Sequence, residues 1–295
     1  MSAKYAVIDA YRDEHAVRLM CAALGVSPSG YYAARQRPTR ARAQTACVTD
    51  RRLRVEVRAA YAESHRRYGA PRIHRALRAV GVRVAKKRVA RVMREEGLVA
   101  RPRKRFVRTT DAAGTVAVPN LLARQFAVTD AAKCDQVWVS DITYVPMAAS
   151  WLYLAIVLDL ASRRVVGWAL RPSLEETLSL DALTMALGTR QPGPGLVHHS
   201  DRGSHYASHA YCALLTAHAV TRSMSRRGDC WDNAVAESFF ATFEHELLAT
   251  TVFTSHAHAQ RLIFEFIEVW YNRQRLHSSL GYQSPVTYEQ QLNVA

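Results

Sequence analysis

Between residues 137 and 170 the chain alternates short apolar runs with turn residues. Residues 137–145 read VWVSDITYV, 151–159 read WLYLAIVLD and 165–170 read VVGWAL. Each run has strand length and is rich in β-branched and aromatic side chains, and Ser162-Arg163 marks a turn between the second and third. The three predict an antiparallel meander. The middle run is apolar nearly throughout, which predicts burial on both faces with helices covering the sheet. Farther on, Leu178, Ala182, Met185 and Ala186 repeat at helical spacing, and Gly193-Pro194-Gly195 breaks the chain. Short strands are predicted at 196–200 and 220–225, with a helix at 206–217 between them. Ala236, Phe240, Phe243 and Leu247 mark the core face of another helix, and Leu262, Phe266 and Trp270 that of a last long one. Three strands, helix, strand, helix, strand and then helices predict a mixed α/β layered domain with a five-stranded sheet.

The first hundred residues follow a helical pattern instead. Val17, Met20, Cys21 and Leu24 share a face, Gly25 ends the helix, and Ser27-Pro28 opens a second. The pattern returns with Pro71 in a first turn, Ile73, Leu77 and Val80 as one stripe, Gly81 as the stop, and Val84, Val89, Val92 and Met93 as the next stripe. This is the grammar of a helix-turn-helix. Its second helix carries Lys86, Lys87, Arg88, Arg91 and Arg94, a density suited to phosphates or a groove; a helical hairpin with a solvated basic face is the competing account. The expected organisation is a helical, helix-turn-helix-like segment at 1–60, a basic helix-turn-helix domain at 61–105, a linker at 106–130, and an α/β domain with a helical tail at 131–295.

Charge sharpens this division. The 295-residue chain carries a formal net charge of +15, yet residues 1–120 hold 27 Lys and Arg against 9 Asp and Glu, and the remainder is slightly acidic. A positive field confined to one part serves a polyanion, most often nucleic acid, although the excess of Arg over Lys also reflects coding bias. No apolar core of signal-peptide length opens the chain, and the longest apolar run, residues 151–158, is too short to cross a bilayer, which predicts a cytoplasmic protein without membrane contact. Cys21, Cys47, Cys134, Cys212 and Cys230 form no CxxC pair, so reduced structural thiols are expected.

One carboxylate, Asp141, falls mid-strand, where a lone charge is costly to bury and needs a partner. Asp201 directly follows the strand LVHHS, at the strand end where open α/β sheets place their ligands, and Glu237 lies early in a helix that begins near Asp232-Asn233. The intervals are 59 and 35 residues. Hard oxygen ligands so placed suit two-metal phosphoryl transfer, with two Mg²⁺ about 3.5–4 Å apart and no protein nucleophile. Asp159 is expected to cap a turn or to assist the site, while Asp135, Asp229 and Asp232 read as loop and cap residues. Asn233 either caps its helix or contacts substrate. His198 and His199 alternate across a strand, so at most one faces the metals. Phe239, Phe240 and Phe243 read as core.

From about Asp13 onward nearly the whole chain resembles the second-frame (OrfB-type) transposases of the IS-three family of bacterial insertion sequences, relatives of retroviral integrases. The stretches that carry the likeness are YGAPRIHRAL…KKRVARVMREEGL, DQVWVSDITYV, LDLASRRVVGW, LVHHSDRGSHYAS, SMSRRGDCWDNAVAESFFATFEHEL and WYNRQRLHSSLGYQSPVTYE. The resemblance implies an RNase-H-like DDE core in which Asp141, Asp201 and Glu237 are the catalytic triad and ligands of two Mg²⁺, with Mn²⁺ as a substitute. It implies cleavage and strand transfer of DNA at the element's terminal inverted repeats, a 3′-hydroxyl attacking target DNA in the second step. Candidate DNA contacts are Arg72, Arg75, Lys86, Lys87, Arg88, Arg91, Arg202 and Asn233. A dimer or higher assembly on DNA, at the bacterial nucleoid, is expected by analogy, as is an upstream-frame protein that supplies a further helix-turn-helix as fusion or partner. Two positions depart from the family pattern: His205 stands where Gln is usual, and Glu244 where Lys or Arg is usual. A metal-dependent nuclease without strand transfer and a non-catalytic DNA-binding regulator from a decayed element are the alternative functions.

Overall fold

The computed structural model describes residues 3–35, 40–100, 118–122, 134–226 and 233–292, with side chains from residue 50 onward in the second span. The basic run at 101–105, most of the expected linker, Asp229, Asp232, Cys230 and the Cys47 side chain lie outside the described residues.

Helices α1 (Ala3–Tyr11), α2 (Val17–Ala23) and α3 (Pro28–Arg35) enclose a small core of Ile8, Cys21 and Tyr31. Gly25 takes a left-handed φ of 62°, which lets the chain reverse after α2, and the Tyr31 hydroxyl donates to Asp9 Oδ1 at 2.7 Å. A long helix, α4 (Arg40–Glu63), crosses the boundary expected at residue 60 and packs on α5 (Ala70–Ala79) and α6 (Lys86–Glu95). Leu53, Val57 and Ala60 of α4 meet Ile73, Leu77, Val89 and Val92, all buried. The turn between α5 and α6 depends on Gly81 at φ 84° and on a 3.0 Å hydrogen bond between His74 Nε2 and the Val84 carbonyl.

The sheet has the order β3-β2-β1-β4-β5, with β1 (Val137–Pro146), β2 (Trp151–Asp159) and β3 (Val165–Arg171) antiparallel, as the pattern predicts. Strands β4 (Val197–Ser200) and β5 (Thr221–Met224) add in parallel, β4 against β1. Alternation sorts the sheet's side chains. Trp138, Ala155 and Val157 face α7 (Glu176–Arg190) and α8 (His209–Ala217), whereas Val139, Leu154, Ile156 and Leu158 face α9 (Ala234–Glu246) and α10 (His256–Phe264). Contact between α7 and β3 requires Gly167, where a Cβ would come within 2.2 Å of the Ala182 carbonyl oxygen. Helix α8 starts three residues later than its periodicity predicts, because Ser208 caps it by accepting from the Tyr211 N–H and a 3-10 turn precedes it at Ser204–Ala207.

The tail is a structural partner of the N-terminal helices. After α10 the helix widens to π geometry over Glu265–Tyr271, which turns Phe266, Ile267, Trp270 and Tyr271 all inward. The Arg67 guanidinium lies over the Trp270 ring at 4.8 Å, the Leu276 N–H donates to the Tyr68 hydroxyl at 2.8 Å, and Arg72 Nε donates to the Leu276 carbonyl at 2.9 Å. The core of α4–α6 therefore continues into that of the sheet's α9 face as one buried cluster. The last helix, α11 (Pro285–Leu292), anchors Glu289 to Arg164 and Arg190 at 2.6 and 2.9 Å. Cys21, Cys134 and Cys212 are free thiols. Among the described residues no helix is long and apolar enough to cross a membrane.

Candidate active site

The register of the parallel pair places the two aspartates. Val137 lies opposite Val197, Trp138 opposite His198 and Val139 opposite His199. Carried two residues further, past the end of β4 at Ser200, the same offset would set Asp201 opposite Asp141. The interval of 59 residues seen in the sequence matches this offset. Glu237 arrives from α9: Asn233, just before the helix, donates from Nδ2 to the Ser140 carbonyl at 3.2 Å, and Glu237 follows one turn later. Asn233 thus ties α9 to the residue beside Asp141 and does not cap the helix with its side chain.

Electrostatics link the other two acids to Asp141. Burial first, then the charges of Asp201 and Glu237, push the Asp141 carboxyl well above its ordinary range, although the Ile142 N–H donates to it at 2.9 Å. Asp201 is raised mainly by burial and restrained by the Gly203 N–H at 2.9 Å and by His205. Gly203 approaches so closely because it has no side chain; a Cβ there would meet Asp201 Oδ1 at 3.0 Å. Two buried polar atoms around these acids lack hydrogen-bond partners among the described residues: the Tyr206 hydroxyl and Asn233 Oδ1. Burial pushes the Tyr206 phenol well above its ordinary value, and the charges of Asp141 and Asp201 add to this. Sequence reasoning assigned no role to Tyr206; its place five residues after Asp201, on the 3-10 turn, was the available signal.

Three hard oxygen donors, two of which raise the third, beside an unsatisfied phenol and amide oxygen, fit divalent cations. Among the described residues only Cys134, Asp159 and Glu289 bring metal-binding atoms within 4.8 Å of one another as a group of three, so the three carboxylates stand wider apart. That tighter cluster is structural. Burial, followed by the charge of Asp159, pushes the Cys134 thiol up to about 12, Glu289 pairs with two arginines, and Asp159 accepts from the Ser162 and Asp135 N–H groups at 2.7 Å. Asp159 is therefore a turn cap.

The paired histidines are both buried and hydrogen-bonded to side chains other than the three acids. His198 Nε2 bonds Ser140 Oγ and the Tyr211 hydroxyl at 2.7 and 2.9 Å, and burial holds its pKa down at about 3. His199 bonds Ser223 and Ser225. Phe239, Phe240 and Phe243 are core, as expected. The basic candidates divide by partner. Arg88 and Arg91 both pair with Asp50, and Arg54 pairs with Glu95, so much of α6's charge binds α4. Arg72 and Arg75 face the tail, Arg75 lying 5.0 Å from the Tyr282 ring, and Arg202 Nε donates to the Ser225 carbonyl at 2.9 Å. Lys86 and Lys87 are exposed and make no ion pair with described residues.

Glu244 is exposed and borders a cavity of about 340 Å³ with Tyr144 and Trp151, both largely exposed at the end of the β1–β2 hairpin. An acid on the face that also presents Glu237 repels phosphate. Glu244→Lys is expected to bind DNA about fivefold tighter, a change of about 1 kcal/mol typical of one exposed charge contact. Fluorescence anisotropy with labelled duplex checks it; unchanged or weaker affinity refutes it.

A helix-turn-helix unit thus shares one core with a mixed five-stranded sheet that carries Asp141 on β1 and Asp201 just past the end of β4. The integrase core domain family matches residues 131–230, a second integrase core description matches 218–285, and the HTH-like domain family matches 49–106. The chain is 38% identical over 291 residues to the transposase InsF for insertion sequence IS3A of Escherichia coli (strain K12), covering 97% of this chain and 98% of that one. It is 39% identical to the insertion element IS600 uncharacterized 31 kDa protein of Shigella sonnei, over 92% and 97% of the two chains. Among solved structures it matches the HTLV-2 integrase catalytic core domain in complex with magnesium at 12% identity and a TM-score of 0.40, covering 52% of this chain and 96% of that one. The chain belongs to the IS-three family of insertion-sequence transposases, and it is a DNA transposase of the DDE type.

Proposed function

We propose that Asp141, Asp201 and Glu237 are the catalytic carboxylates, and that together they hold two Mg²⁺, with Mn²⁺ able to substitute. The observation that carries this reading is the β1–β4 register that levels Asp141 with Asp201, with Glu237 close enough to raise Asp141 further. Bound there, the cations supply Lewis acidity to the attacking and leaving oxygens of a phosphodiester. The chain's own groups hold and orient. Asp201 is fixed by its turn with Gly203, Glu237 by α9, and α9 by Asn233. The Tyr206 hydroxyl, which feels the charges of both aspartates, offers an unsatisfied donor, and the acids need not act as proton carriers. The described basic surface, with exposed Lys86 and Lys87 on α6, is read as a DNA contact, and Arg72, Arg75, Arg88, Arg91 and Arg202 as residues that position the DNA-binding elements.

The same reading places cleavage and strand transfer at the element's terminal inverted repeats, performed by a dimer or larger assembly on the bacterial nucleoid, with an upstream-frame protein as possible fusion or partner. Its test is a labelled repeat-end duplex incubated with target DNA and Mg²⁺. Joined repeat–target product is expected; cleavage without joining assigns a nuclease, and binding alone assigns a regulator.

A further inference from the structure

A second cavity, of about 360 Å³, opens beside α9 on a different face of the helix from Glu237. Four separate pieces of chain contribute to it: Arg72 from α5, Arg163 from the β2–β3 turn, Ser238 from α9, and Arg275, His277 and Ser279 from the tail. Arg163 sits at a left-handed φ of 61°, held by a turn whose other end is capped by Asp159. His277 is buried, and its Nε2 has no hydrogen-bond partner among the described residues. A buried, unpartnered ring nitrogen facing guanidinium groups is an unfinished arrangement. The first turn of α9, at Ala234 and Val235, also edges the cavity, and the Asn233 side chain does not cap it.

The lining favours an anion. Arg72, Arg163 and Arg275 bring three guanidinium groups to the cavity; Arg275 pairs with the buried Glu246, its Nη2 2.9 Å from the carboxylate, and the charge of Asp159 reaches Arg163. Burial, then the positive charges of Arg275, Arg72 and Arg163, hold His277 well below its ordinary pKa. An entering anion offsets these cations and lets the ring take a proton and donate from Nε2. Ser238 and Ser279 are exposed, so the mouth meets solvent.

We propose that this cavity is a phosphate-binding site that takes a backbone phosphate of DNA lying between the helix-turn-helix unit and the three carboxylates. Arg72 belongs to the first of these and α9 carries part of the second, so a duplex engaging both passes the mouth of the cavity. The inference rests on the chain's DNA binding and not on the assignment of Asp141, Asp201 and Glu237.

The full-length chain is titrated in EDTA with a fluorescein-labelled duplex of arbitrary sequence over a range of NaCl concentrations, using wild type, Arg163→Gln and Ser279→Glu. Losing one phosphate contact should lower the slope of log K against log salt by about 0.9 in both variants. The exposed Ser279→Glu change adds an acid at the mouth without touching the core, so it decides the question alone if Arg163→Gln does not fold. A parallel melt compares sodium phosphate with sodium chloride at equal ionic strength. Unchanged slopes, with wild type alone stabilised by phosphate, assign the site to free phosphate and overturn the DNA proposal. Unchanged slopes without phosphate stabilisation overturn the site itself. The assay contains no metal, so failure of the catalytic assignment, read as retained joining by Asp141→Asn, leaves these slopes where they are.

Discussion

Asp141→Asn is expected to bind repeat-end DNA as wild type does while losing at least about a thousandfold in cleavage and joining. A carboxylate that holds cations at the reacting phosphodiester supplies several kcal/mol of transition-state stabilisation, and about 1.4 kcal/mol corresponds to each tenfold in rate. The substitution keeps the shape of the side chain and its place in β1, so the change is confined to charge. Stability should move the opposite way. Asp141 is raised by burial and by the charges of Asp201 and Glu237, all of which oppose its ionised form, so the amide relieves repulsion and should raise the melting temperature in EDTA. Mg²⁺ should raise the melting temperature of wild type through preferential binding to the folded state and leave the variant unchanged. Wild-type rates of joining in Asp141→Asn would refute the assignment.

The second large effect lies away from the chemistry. Arg275→Ala is expected to cost about 3–5 kcal/mol of stability, because Glu246, only 3% exposed in its side chain, would be left as a buried charge without its cation. The pair closes the end of α9 onto the tail, assisted by Trp270 Nε1 donating to Glu246 at 2.9 Å. Replacing both members with Met should recover most of the loss, since an apolar pair of similar volume avoids the desolvation cost. In wild type, burial opposes the charged form of Glu246, but Arg275 and Trp270 outweigh it and hold the carboxyl below 4.5. Its contribution to stability is therefore fully present above pH 4.5 and is shed as the pH falls through the lower folded value. Denaturant melts across this range, with Arg275→Ala for comparison, measure it.

The sheet was legible because its signals are local. Three apolar runs with short turns gave β1–β3 nearly to the residue, and the interval between Asp141 and Asp201 matches the offset of the β1–β4 pairing. Helix α4 went unread, although Leu53, Val57 and Ala60 mark a helical stripe; its other faces are strongly basic, and the meaning of those charges depends on Asp50, Glu95 and Glu96 pairing across helices. For the same reason the basic face of α6 looked freer than it is. Tyr206 and the cavity at His277 were invisible because each depends on distant segments coming together: a buried phenol within reach of the charges of Asp141 and Asp201, and four pieces of chain around His277. The tail's role was equally hidden, since the contacts of Tyr68 with Leu276 span more than two hundred residues.

Those contacts make the molecule a ruler. Because Tyr68, Arg67 and Arg72 grip the tail and the cores merge, the offset between α5–α6 and the three acids is set by the fold, independently of the covalent path at residues 101–133. On the proposed reading, in which α6 contacts DNA and the acids hold the reacting phosphodiester, the distance along a duplex between those two points is a constant of this protein, and DNA that places them at another spacing presents the wrong bond.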